Sequence, residues 1–131
     1  MARLSTRLIA FSVLAASSCG GGNGGGSNSS GVPSSATLAS LTTAQATTLC
    51  DWENEKQGGY GRTVSCSDGS QQTTDPNQAT CVGSVPNAGA DCPTLTVGDI
   101  EDCANAIGAD ICQVSTAPGC HNFWQCVQQT Q

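Results

Sequence analysis

The chain has 131 residues, nine cysteines and a formal net charge of −6. That length holds one small domain, and the acidic balance excludes nucleic acid and anionic membrane surfaces as electrostatic partners, because both repel it. Only 4% of the residues are aromatic, so the core is too thin to stand without covalent support.

Residues 1–7, MARLSTR, carry Arg3 and Arg7 and no acid; residues 8–16, LIAFSVLAA, are apolar; Ser17 and Ser18 are small, and Cys19 follows. A basic start, a short apolar run and a small-residue exit predict a signal peptide over residues 1–18. The run falls short of the roughly 20 apolar residues that a spanning helix needs. Ala16-Ser17-Ser18-Cys19 resembles the lipobox of bacterial lipoproteins. That resemblance implies cleavage before Cys19, a diacylglycerol on its thiol, acylation of the new amino terminus, and a lipid bilayer as first partner. More than one acyl chain anchors stably where a single chain does not. Gly20, where an Asp would resemble a retention signal, implies delivery to the outer membrane.

With residues 1–18 removed, only Lys56 and Arg62 stand against ten acids, for a net charge of −8. Residues 19–37, the lipidated cysteine and GGGNGGGSNSSGVPSSAT, are expected to form a linker, since glycine and serine lack the apolar surface to fold. The folded domain is expected over residues 38–131.

That domain holds Cys50, Cys66, Cys81, Cys92, Cys103, Cys112, Cys120 and Cys126. An even number in a small exported domain reads as a disulfide framework. The parity agrees with a lipidated Cys19. Eight cysteines allow 105 pairings, and spacing does not choose among them. No C-x-x-C pair occurs, so neither a zinc knuckle nor a thioredoxin-like redox pair is spelled out, and no metal or cofactor is expected.

Four segments carry helix signals. In residues 40–59, Ser40, Thr42 or Thr43 can cap the start, and Gly58-Gly59 stops the helix. In TDPNQATCVGSV, Asp75 can cap with Pro76 in the first turn. In LTVGDIEDCANAIGAD, Thr96 caps, Asp99, Glu101 and Asp102 lie where the helix dipole favours anions, and Gly108 ends the run. In STAPGCHNFWQCVQQ, Thr116 and Pro118 begin a last helix whose inner side is Cys120, Phe123, Trp124 and Val127. Between the first two lies a long polar loop, residues 58–74, in which Arg62-Thr63-Val64-Ser65 can extend. The fold class expected is all-α: a disulfide-stapled bundle of about four short helices.

LCDW, the GGYG turn, the C-x-DG loop, CPTLTVGDIEDC and the final PGC-x5-C together resemble small cysteine-rich lipoproteins of myxobacterial-type genomes. The resemblance spans residues 41–126 in outline. It implies secretion and disulfide bonding, and no particular activity.

His121, the one histidine, sits in GCHNFWQC. It lacks the His-Asp pair and cysteine spacing of small helical phospholipases, and no Gly-x-Ser-x-Gly elbow occurs. Trp52, Tyr60 and Trp124 are candidates for an aromatic contact patch. The leading expectation is a surface-tethered, non-enzymatic lipoprotein module with a structural or interaction role in the cell envelope, its protein partner open. Two alternatives stand beside it: a small secreted hydrolase using His121, and an inhibitor or toxin-like effector binding through loop 58–74.

Overall fold

The computed structural model describes residues 27–129. The expected signal peptide (1–18), the expected lipidation site Cys19 and the first half of the expected linker lie outside the described residues. Four α-helices carry the fold: α1 Thr43–Lys56, α2 Gln78–Asp91, α3 Val97–Ile107 and α4 His121–Gln129.

Helix α1 starts where a threonine can serve its orphan amides. Thr42 accepts from the Gln45 amide, and the Gln45 side chain accepts in return from the Thr42 amide at 3.0 Å. It stops at Gly58 and Gly59, whose φ of 91° and 106° an L side chain rarely adopts. Helix α3 repeats the device with Thr96 and Asp99, and Gly108 follows its last turn at φ 50°.

Helix α2 departs from the sequence expectation. Its cap is Asn77, which accepts from the Thr80 amide at 2.9 Å, and Pro76 precedes the cap. Asp75 is thereby free of capping duty. The helix also runs through Pro86 to Asp91. A proline there removes one backbone bond, and cysteines bridged to other helices, Cys81 within α2 and Cys92 at its cap, hold the segment on either side.

The all-α expectation fails in the loop. Thr63–Ser65 (β1) and Gln71–Thr73 (β2) form a two-stranded antiparallel hairpin with Val64 opposite Gln72. Asp68 accepts from the amide and hydroxyl of Ser70 and fixes the turn. The molecule is therefore mostly helical with one small sheet.

Four disulfides join these parts: Cys50–Cys81 links α1 to α2, and Cys66–Cys112 links the hairpin to the turn after α3. Cys92–Cys126 links the end of α2 to α4, and Cys103–Cys120 links α3 to the turn before α4. The main core gathers Leu38, Leu49, Val85, Leu95, Val97 and Ile100 around Cys50, Cys81 and Cys92. A smaller one gathers Cys103, Ile107, Ile111 and Cys120, and Phe123 packs against both. Two glycines permit close approach. A Cβ on Gly89 would strike the backbone of Ala39, and one on Gly119 would sit 2.5 Å from the Asp102 carbonyl oxygen.

The second half of the expected linker lies on the domain. Trp52 Nε1 donates to the Ser27 carbonyl at 2.8 Å, and Asn105 Nδ2 donates to the Asn28 carbonyl at 2.7 Å. Val32 is buried, and the amides of Val97 and Gly98 donate to the carbonyls of Ala36 and Ser34. The cause is Glu101 on α3, 6% exposed. Its Oε1 accepts from the Ser30 amide at 2.6 Å, the Ser30 hydroxyl at 2.7 Å and the Ser29 hydroxyl at 3.1 Å. Residues 27–37 form a strap across α1 and α3.

Candidate functional site

Helix α4 is the loosest of the four. It packs chiefly on α3 and the short turns beside it, and none of its residues is fully buried. Its covalent link to the α2 side is Cys92–Cys126. A cavity of about 440 Å³ lies beneath it, walled by Leu49, Val85, Leu95, Ile100, Phe123 and Val127. Three acids line this apolar space: Glu53 from α1, Asp75 from the turn before α2 and Asp91 from the end of α2. A smaller hollow of about 90 Å³ adjoins it and shares Glu53, Ile100 and Phe123.

Glu53 is the unusual group. Part of the residue's surface opens on the cavity, yet protein surrounds the carboxyl. That burial, with the negative charge of Asp75, pushes it from an ordinary 4.5 up to about 7; one hydrogen bond from Gln57 Nε2, at 3.0 Å, works the other way. Burial raises Asp75 as well. Tyr60, at the turn after α1, is pushed up to about 12 by burial, by Asp51, which accepts its hydroxyl at 2.9 Å, and by Asp75 and Glu53. A carboxyl that titrates near neutrality inside an apolar pocket can bind a cation or exchange a proton.

A second, polar cleft of about 520 Å³ lies between the α2–α3 connection and α4, lined by Asp91, Asp99, Asn122 and Gln125 among others. Asn122 donates to Asp99 there at 2.7 Å. Burial alone would raise Asp99, but the bonds from Asn122 and Thr96 bring it below the usual carboxylate range.

No family model, no curated protein and no solved structure matches this chain.

The eight cysteines named from the sequence are all paired in the four bridges. His121 stands exposed at the start of α4, and its neighbour Asn122 makes the contact to Asp99. The aromatic candidates divide: Trp52 and Tyr60 pack against the main core, while half-buried Trp124 belongs to neither cluster. The acids near the start of α3 also divide. Asp99 caps, Glu101 binds the strap, and Asp102 is exposed. Among the described residues no group of histidine, cysteine and acids is placed to hold a metal, and no helix is long and apolar enough to cross a membrane. Glu53 was not singled out by the sequence. A usable signal existed: it follows Leu49 by four residues, which sets an acid on the apolar face of α1.

Proposed function

We propose that this chain is a lipid-anchored, non-enzymatic binding module of the bacterial cell envelope, held at the outer membrane through acylated Cys19, and that its ligand site is the acid-floored cavity under α4. The observation that carries the binding reading is Glu53 beside Asp75 in an apolar cavity of about 440 Å³. Protein interiors are close-packed, and a domain with this little core gains nothing structurally from an open apolar space with an acid in it.

The strap supports the tethered part of the reading. Because residues from Ser27 onward lie on the domain, only residues 20–26 separate Cys19 from the first pinned residue. The domain would then ride close to the headgroups with the Trp52 side of α1 near the bilayer. Lys56 lies over the Trp52 ring at 5.5 Å from its centroid, and this pairing suits a headgroup region.

The test is the intact mass of protein extracted from membranes, before and after reduction with thiol alkylation. The expected species starts at Cys19, carries acyl chains and takes up eight alkyl groups only after reduction. A lipid-free species with a reactive thiol at Cys19 would remove the anchor from the reading.

The hairpin favours a second reading, that of an inhibitor or effector binding through loop 58–74. Cys66–Cys112 fixes its tip side, and Arg62 Nη1 donates to the carbonyls of Gln57, at 2.8 Å, and Ala109. The result is a rigid, exposed polar loop. Scrambling residues 67–70 while keeping Cys66 should abolish partner capture on this reading. Unchanged capture would discard it.

A further inference from the structure

We propose that the cavity under α4 takes a small amphipathic amine, its apolar body against Leu49, Val85, Phe123 and Val127 and its protonated nitrogen on Glu53 and Asp75. This rests on the binding-module reading and names its ligand class.

The sign of the lining decides the class. Its ionisable groups are Glu53, Asp75 and Asp91, and no lysine, arginine or histidine is among the lining residues. An anion would meet three carboxyls. A neutral apolar molecule would fill the walls but leave the Glu53 carboxylate desolvated and opposed by Asp75, a costly arrangement for a charge. A protonated amine supplies positive charge and N–H donors together, and charge-assisted bonds of this kind are the strong ones. Acceptor capacity remains, because Glu53 takes one bond from Gln57 and a carboxylate offers about four acceptor positions. The volume falls within the range of about 300–1,000 Å³ usual for small-molecule sites.

Binding should also follow pH. The titratable groups around Glu53 are Asp75 in the turn before α2, Asp91 at the end of α2 and Tyr60 after α1, while α3 and α4 face it with Ile100, Phe123 and Val127. Glu53 is the one of these that burial carries to about 7, so its charge changes across the neutral range.

The experiment is calorimetric titration of the full secreted chain carrying Cys19→Ser, which needs no detergent. The probes are octylammonium, 1-octanol and octanoate. At about pH 8 octylammonium should bind with one-to-one stoichiometry, octanol at least about tenfold more weakly, and octanoate more weakly still. Glu53→Gln should bring octylammonium down to the level of octanol. Val85→Trp, which fills the space, should remove saturable binding of every probe. Lowering the pH to about 5 should weaken octylammonium by about tenfold as Glu53 protonates. Equal affinity for octanol and octylammonium, or no effect of the isosteric Glu53→Gln, would overturn the amine assignment. If Val85→Trp still removed both probes in that case, the cavity reading would stand while its ligand class fell. If no probe bound, both would fall.

Discussion

Glu101 and Glu53 sit on adjacent helices, α3 and α1, the first buried and the second half-buried at the cavity wall. Glu101 collects three donors on one oxygen, all from Ser29 and Ser30. Glu53 receives one donor, from Gln57 on its own helix, and shares an apolar cavity with Asp75. The first carboxylate is fully employed in folding, since it turns a serine-rich segment into a strap. The second is a burden on the fold. Where a small domain keeps an acid that its own structure does not satisfy, the missing partner is best sought outside the chain.

Reduction of the bridges should erase the contrast altogether. Each closes a loop of 17 to 46 residues, and loops of that size add about 3–4 kcal/mol per bridge on the chain-entropy account. Thiol reduction at neutral pH should abolish near-ultraviolet circular dichroism and cooperative unfolding together. Glu53 would then titrate as an ordinary carboxylate.

Glu53→Gln should sharpen the contrast, and the sign follows from the raised value. A carboxyl whose folded value lies above its unfolded one stabilises the fold while protonated. That contribution is lost as pH rises from 4.5 through about 7. At about pH 8 the substitution should therefore stabilise the protein by up to about 3 kcal/mol, and at about pH 4 it should change little. Chemical denaturation at the two pH values checks this. Glu101→Ala should do the opposite and cost about 2 kcal/mol, the worth of hydrogen bonds to one charged acceptor. Its second signature is proteolytic cleavage between residues 27 and 37, from which the strap has been released.

How much of this the sequence discloses depends on how local each feature is. The start of α3 was legible because Thr96 with Asp99 carries its cap within three residues, while at α1 Ser40, Thr42 and Thr43 were all open and Thr42 prevails with Gln45. Gly58, Gly59 and Gly108 marked the stops for the same reason. At α2 the expected cap, Asp75, gives way to Asn77 two residues on, whose side chain accepts from the Thr80 amide. Strand β2 was illegible, since Gln71-Gln72-Thr73 has no apolar alternation and owes its place to pairing with Thr63–Ser65. The strap read as linker because its glycines and serines hold almost no apolar surface; its partner, Glu101, lies some seventy residues away. The bridge pairing and the surroundings of Glu53 are likewise matters of tertiary placement. Four helices decide them jointly, and no spacing rule does.

The central claim is that Glu53 is a carboxyl held near neutrality inside an apolar cavity. Its titration by NMR, observed at the labelled side-chain carboxyl carbon of the intact protein with Glu53→Gln to assign the signal, tests this directly. A midpoint near 7 is expected. A midpoint at the ordinary 4.5 would contradict it, and with it the reading of the cavity as an acid-floored binding site.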